Sequence, residues 1–174
     1  MLASVNSLEE ARLILNTSVD IIDLKQPEQG ALGALPIELV SDIVQYVANK
    51  KPVSATVGDL PMQANVVFKA VSEMLETGVD YIKIGFFPEG DWHETIKKLS
   101  EITQQGHQLI AVLFADAEPD FTIIQAFKQA GFSGIMLDTM DKSAGDLLNN
   151  LSLERIKEFV LLANEAQLLC GLAG

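Results

Sequence analysis

Two lysines interrupt apolar runs that are typical of buried strands, and an amine in such a position can do chemistry. Lys25 closes the run 19–25 (VDIIDLK), and Lys83 lies between Ile82 and Ile84. A lysine is rarely buried without a partner or a function. Desolvation and neighbouring cations lower the pKa of an amine, which can then attack a carbonyl near neutral pH. Both lysines are therefore candidates for carbonyl chemistry.

Two aspartates and a third lysine occupy related positions along the chain. Side chains alternate along a strand, so Asp23 shares a face with Lys25. Asp138 ends another apolar run, and Lys142 follows four residues later. In a barrel of parallel strands the carboxyl ends meet at one face, where these groups and Lys83 would converge. Lysines beside carboxylates that can carry protons suit an enzyme that condenses carbonyl compounds through a Schiff base.

Each of these residues, taken singly, also has a purely structural interpretation. Lys25 could lie at the surface just beyond a strand, and Asp138 could cap the turn that follows it. Lys83 is harder to explain in this way because isoleucines flank it on both sides. The joint pattern is more specific than any one member, but spacing alone does not choose which lysine is the nucleophile.

The elements that would position these groups alternate regularly along the chain. Apolar segments followed by stretches of helical period predict an α/β protein with a parallel sheet. Ser7, Asp120 and Ser152 are predicted N-caps of three of the six helices. The seven predicted strands are 2–5, 19–25, 53–57, 81–86, 109–113, 134–138 and 168–172.

Charged residues on strand faces favour a TIM (β/α)8 barrel. An open doubly wound sheet is the competing architecture, but it carries helices on both faces and keeps ionisable residues at strand ends. A complete barrel takes about 250 residues. The 174 residues and seven strands therefore predict one domain over 1–174, a C-terminally incomplete barrel that is truncated after its seventh strand and lacks the last βα elements.

Composition restricts the partners. The net charge of −12 repels nucleic acid, so a small anionic substrate must bind at a local cluster of lysines. No apolar run approaches the roughly 20 residues that cross a bilayer, and no signal peptide is apparent. Cys170 is the only cysteine, which fits a reducing cytoplasm, and we expect it to be buried as a small apolar residue. The sequence is compatible with a homo-oligomer.

Several blocks of the sequence together resemble the (5-formylfuran-3-yl)methyl phosphate synthase family. They run from near the first residue to the last, in the order that the family has them. The blocks are 20–27 (DIIDLKQP) with 30–34 (GALGA), 53–59 (VSATVGD), 81–85 (YIKIG), 136–139 (MLDT) with Lys142, and 171–174 (GLAG).

The resemblance implies an aldolase-like (β/α)8 barrel that condenses two molecules of glyceraldehyde 3-phosphate. The product is a furan aldehyde phosphate, formed with loss of phosphate and water, that feeds methanofuran synthesis. The resemblance makes Lys25 the Schiff-base lysine, Lys83 a proton acceptor, and Asp23, Asp138 and Lys142 essential partners. It implies no metal and no organic cofactor.

The family's chain continues beyond the block 171–174, whereas this sequence stops there. Gly171, Ala173 and Gly174 would begin a substrate phosphate site built from backbone amides. We therefore expect weak or no turnover from this length unless another chain covers the gap. Two alternatives stay open: another Schiff-base aldolase of phosphorylated carbonyls, or a non-catalytic barrel that serves as a binding subunit.

Overall fold

The structure, a computed structural model, describes residues 1–141 and 145–174, and strands alternate with helices throughout these ranges. The strands are β1 (Leu2–Val5), β2 (Ile21–Leu24), β3 (Val53–Thr56), β4 (Tyr81–Gly85), β5 (Gln108–Phe114), β6 (Gly134–Asp138) and β7 (Leu169–Leu172). The α-helices are α1 (Leu8–Ile14), α2 (Ile37–Val47), α3 (Ala64–Leu75), α4 (Trp92–Thr103), α5 (Ile124–Gln129), α6 (Leu147–Asn150) and α7 (Leu153–Glu165). Short 3-10 helices cover Pro27–Gln29, Ala115–Ala117 and Phe121–Ile123.

The seven strands form one parallel sheet in which each strand pairs with the next along the chain, from β1 to β7. Right-handed crossovers between such sequential strands place the helices on one face of the sheet, which curls around the other. The result is the predicted incomplete (β/α)8 barrel. A doubly wound sheet would reverse its strand order at a switch point, so the strand order rules out that alternative.

The two faces of the sheet divide the side chains as the alternation predicts. Ile22 and Leu24 of β2, with Ile82 and Ile84 of β4, are at most 1% exposed and belong to the large apolar core beneath the helices. The residues between them point to the inner face of the curled sheet. The chemistry-bearing side chains of β2 and β4 therefore share one interior.

Three of the predicted helix starts are confirmed. The side chains of Ser7, Asp120 and Ser152 each accept a hydrogen bond from a backbone N–H of the turn that they open. Helix α6 was not predicted, because its four residues are too few to show a helical period; Asp146 caps it. None of the described helices combines the length and the apolar character needed to cross a bilayer.

Two expectations need correction. Strand β2 ends at Leu24, so Lys25 is the first residue after the strand rather than its last. Cys170, expected in the core, is exposed. The cause is that β7 hydrogen-bonds to β6 alone in the described part of the chain, and Leu169 and Leu172 beside the cysteine are also exposed.

Candidate active site

The carboxylate of Asp23 lies at the centre of the inner face and receives three hydrogen bonds. Strand register places Ser4 of β1 and Ser54 of β3 on either side of it. Ser54 Oγ donates to Asp23 Oδ1 at 2.6 Å, and Ser4 Oγ donates to Oδ2 at 2.8 Å. Lys83 Nζ reaches across from β4 and donates to Oδ2, also at 2.8 Å. Asp23 is fully buried, so these donors replace the water that the carboxylate loses on folding.

A second lysine–aspartate pair lies closer to the mouth of the barrel. Lys25 Nζ is 3.5 Å from Oδ2 of Asp138, which ends strand β6, and the other carboxylate oxygen accepts the N–H of Thr139 at 2.8 Å. The Lys25 side chain is 12% exposed, against 5% for Lys83. Lys25 also lines a cavity of about 260 Å³. By exposed fraction, the Lys25 side chain therefore meets solvent slightly more than that of Lys83.

Strand β2 joins the two pairs, because Asp23 and Lys25 stand two residues apart on the same face. That separation is about 7 Å along a strand. Lys83 lines a larger cavity of about 530 Å³ within the curled sheet, together with Ser4 and Ser54. Of the predicted cluster, the structure thus brings together Lys25 with Asp138 and Lys83 with Asp23. Lys142 lies outside the described residues.

This arrangement offers two amines, each beside a carboxylate that can exchange a proton with it. Such a pair is the equipment for forming an imine and for moving a proton on a neighbouring carbon. Among the described residues, no group of three or more histidine, cysteine or acidic side chains is placed to hold a metal ion.

Comparison with known proteins identifies the family. A profile of the 4-HFC-P synthase family matches residues 1–174, the whole of the chain. The chain belongs to this family. Its relatives include the (5-formylfuran-3-yl)methyl phosphate synthases of Methanococcus maripaludis and Methanopyrus kandleri, which are 30% and 32% identical to it. Each alignment covers all of this chain and 78% of the relative.

Solved structures with a similar fold include two proteins named as synthases. A 3-hexulose-6-phosphate synthase superposes with a TM-score of 0.68 at 19% identity, over 99% of this chain and 78% of that one. A dihydrodipicolinate synthase from Oceanobacillus iheyensis superposes with a TM-score of 0.59 at 14% identity, over 99% of this chain and 67% of that one. At these identities the likeness concerns the fold of this 4-HFC-P synthase family member.

The predicted phosphate-binding residues lie at the end of strand β7 and just beyond it. Gly171 is within the strand, and Ala173 and Gly174 follow it. The N–H of Ala173, which we expected to face an anion, donates to the carbonyl oxygen of Leu137 at 2.8 Å and so extends the pairing with β6. A phosphate role for these three residues stays a prediction from the family resemblance.

Sequence reasoning missed Ser4 and Ser54, the two hydroxyls that hold Asp23. Both occupy inward positions of short strands that otherwise carry apolar or small residues. A polar side chain on a buried face is a usable signal, but its partner becomes apparent only when the strands are aligned. Asp59 and Asp116 were also not assigned a role in the site, and both bind loops at its edge.

Proposed function

We propose that this protein condenses two molecules of glyceraldehyde 3-phosphate into (5-formylfuran-3-yl)methyl phosphate through a Schiff base on Lys25, as a step of methanofuran biosynthesis. Family membership and the names of the relatives support the product. The observation that carries the mechanism is the distance of 3.5 Å between the Lys25 amine and the Asp138 carboxylate.

The first step is imine formation. Lys25 Nζ attacks the aldehyde carbon of one triose phosphate, and a water molecule leaves as the C=N bond forms. The Asp138 carboxylate can take a proton from the lysine and return one to the departing hydroxyl, since its Oδ2 lies beside Nζ. Lys83, whose Nζ is bound at 2.8 Å within the Asp23 site, is less exposed to an incoming aldehyde.

The second step joins the two substrates. Lys83 passes its proton to Asp23 across their hydrogen bond, and the resulting amine removes a proton from the carbon next to the imine. The enamine then attacks the aldehyde carbon of the second triose phosphate, and a carbon–carbon bond forms. A hydroxyl of the adduct then closes the ring by forming the furan C–O bond. Over the whole reaction one phosphate and two waters are lost, and release of the amine gives the furan aldehyde phosphate and restores Lys25.

The phosphate groups need cationic or N–H contacts, because the protein as a whole carries a net charge of −12. We assign Lys142 to a phosphate contact or a proton relay, Gly171 and Gly174 to backbone contacts, and Ala173, whose N–H donates to Leu137, to a place beside the phosphate. These four assignments come from the family resemblance.

Borohydride trapping tests the proposal directly. The protein is incubated with glyceraldehyde 3-phosphate, reduced with borohydride and mapped by peptide mass spectrometry. We expect the substrate-derived mass on Lys25 in the wild type, none at position 25 in Lys25→Arg, and continued labelling of Lys25 in Lys83→Arg. Arginine keeps the charge but cannot form the imine, so the two variants are matched.

Product analysis separates the proposal from its rivals. A conjugated furan aldehyde absorbs strongly in the ultraviolet, whereas an ordinary aldol product does not. Label on Lys25 without furan absorbance would indicate a different Schiff-base aldolase. Label on Lys83 would reverse the roles of the lysines, and no label on any lysine of a protein with the relatives' full length would favour a binding subunit.

A further inference from the structure

The chain that follows Lys25 folds back over the mouth of the barrel. Gln26 N–H donates to the carbonyl oxygen of Gly33 at 2.8 Å, which closes residues 26–33 into a compact loop. The 3-10 helix Pro27–Gln29 is exposed, but Ala31 and Leu32 are only 5% and 1% exposed. One side of the loop is therefore buried against the barrel.

Asp59, which follows strand β3, holds this loop by accepting a hydrogen bond on each oxygen of its carboxylate. Oδ2 accepts the N–H of Ala31 at 2.9 Å, and Oδ1 accepts the N–H of Leu32 at 2.7 Å. Gly30 makes the approach feasible: its φ is +113°, and an added Cβ would lie 2.1 Å from Asp59 Oδ2. The loop and the carboxylate are thus fitted closely to one another.

A second contact from the same strand holds the other end of the loop. Thr56, which is fully buried, donates its hydroxyl to the carbonyl oxygen of Gly33 at 2.8 Å. Thr56 is also the register partner of Lys83 on strand β4. Strand β3 and the residues just after it therefore anchor the loop at two points.

The buried side of the loop packs inside the sheet and not beneath the helices. Ala31 and Leu32 form a small apolar cluster with Val112 and Phe114 of β5, separate from the main core. Val112 alternates with residues of the main core, so it faces the inner side. Gly85 leaves room for the loop, since an added Cβ there would lie 2.7 Å from Leu32 Cδ1. Leu32 is thus packed on the inner side of the sheet, against strands β4 and β5.

We propose that Asp59 is a positioning residue that latches residues 26–33, which means that its two hydrogen bonds hold this loop and the loop in turn fixes Lys25. The backbone of Lys25 is held on its N-terminal side by strand pairing, its N–H donating to Val5 O at 3.1 Å. On the other side it leads directly into the latched loop. This inference rests on the proposed role of Lys25 as the Schiff-base lysine.

Replacement of Asp59 by asparagine tests the latch, and Asp80→Asn is its matched control. The side-chain amide introduced in Asp59→Asn keeps one acceptor and turns an NH₂ group toward a backbone N–H, so one of the two bonds is lost. Asp80 Oδ2 likewise accepts a backbone N–H, that of Val53 at 2.7 Å, but at the opposite end of strand β3. Both substitutions replace a carboxylate that accepts a backbone N–H by a neutral amide, but only Asp59 uses both oxygens and only Asp59 lies at the mouth.

Two measurements on the full chain are compared across the variants. Hydrogen exchange at the amides of Ala31 and Leu32 should be about tenfold or more faster in Asp59→Asn and unchanged in Asp80→Asn. The rate of borohydride trapping of Lys25 with glyceraldehyde 3-phosphate should fall about tenfold in Asp59→Asn alone, because small misplacements of reacting groups are costly. Thr56→Val should change the exchange rate and the trapping rate in the same direction but by a smaller factor. It replaces Asp59→Asn as the test variant if Asp59→Asn does not fold.

The outcomes are distinct. If the rate of hydrogen exchange at the amides of Ala31 and Leu32 does not change in Asp59→Asn, Asp59 does not hold the loop, whatever the rate of borohydride trapping is. Faster exchange with an unchanged trapping rate, in a protein whose wild type labels Lys25, overturns the positioning role. If wild-type Lys25 is not labelled, the proposed function fails and the positioning role fails with it, while exchange still decides whether Asp59 holds the loop.

Discussion

The Asp23 carboxylate receives hydrogen bonds from Lys83, Ser4 and Ser54, so removing different partners leaves different groups unsatisfied. A buried ion pair need not stabilise a fold, since desolvation offsets much of the attraction between the charges. Breaking such a pair is nonetheless costly, because the remaining charge is left buried without its counter-ion. This asymmetry makes the contribution of the pair measurable.

We predict strong coupling between Asp23 and Lys83 in a double-mutant cycle. Asp23→Asn and Lys83→Met should each lower the free energy of unfolding by about 3–5 kcal/mol, because each leaves one buried partner uncompensated. The double variant should lose clearly less than the sum of the two. Urea unfolding measures all four proteins.

The surface pair Lys69–Glu73 provides the control for this cycle. Its atoms are 3.7 Å apart, and both side chains are more than half exposed. Lys69→Met should therefore change the free energy of unfolding by less than about 0.5 kcal/mol. Additivity of the buried substitutions to within about 0.5 kcal/mol would contradict the coupling.

The inner positions of Asp23 and Lys83 were predictable because alternation along a strand is local. Isoleucine and leucine neighbours fix which face is buried beneath the helices, and the charged residues must then face the other way. The hydroxyls of Ser4 and Ser54 were not predictable as partners of Asp23. Their pairing depends on the register of three strands that are far apart in sequence, and a single sequence does not specify that register.

At the scale of elements, carboxylates that follow odd-numbered strands hold loops that follow even-numbered ones. Asp59 after β3 binds the loop after β2. Asp116, in the 3-10 helix after β5, accepts the N–H of Met140 at 3.0 Å and that of Asp141 at 2.8 Å, just after β6. Asp116 therefore holds the chain that leaves Asp138.

We predict that Asp116→Ala lowers both the stability and the activity of the protein. The loss of carboxylate–amide bonds should lower the free energy of unfolding by about 1–3 kcal/mol. The rate of furan formation, followed by its ultraviolet absorbance, should fall about tenfold because Asp138 is less well positioned.

Asp91→Ala is the comparison for that experiment. Asp91 caps helix α4 by accepting the N–H of Glu94 at 2.9 Å. Its loss should lower the free energy of unfolding by about 1 kcal/mol and leave the rate of furan formation unchanged. Equal effects of the two substitutions on that rate would show that Asp116 has no positioning role.

Sequence patterns predicted the strands and most helices, but not the hydrogen bonds by which Asp59 and Asp116 hold neighbouring loops. The strand cores are evident from apolar runs, whereas β2 ends before Lys25, one residue earlier than the pattern indicated. The contact from Asp59 to Ala31 spans 28 positions, and that from Asp116 to Met140 spans 24. An acidic residue in a turn has many local roles, so its remote partner emerges only from the folded sheet.

At the scale of the whole molecule, the sequential strand order brings residues from β2, β4 and β6 into one interior. That interior holds lysines, although the protein around it carries a net charge of −12. A phosphorylated substrate therefore meets repulsion at long range and attraction only near the lysines. Added salt weakens the long-range repulsion before it weakens the short-range attraction, because the Debye length is about 30 Å at 0.01 M ionic strength and about 10 Å at 0.1 M.

We predict that kcat/KM for glyceraldehyde 3-phosphate rises about twofold when monovalent salt is increased from roughly 10 to 100 mM at constant pH, because screening weakens the repulsion between like charges. Unphosphorylated glyceraldehyde has no charge to repel, so its imine trapping on Lys25 should be insensitive to salt over the same range. A kcat/KM that falls steadily with salt would mean that the local lysines outweigh the acidic surface even at long range. In that case the lysine cluster, and not the net charge, controls the approach of the substrate.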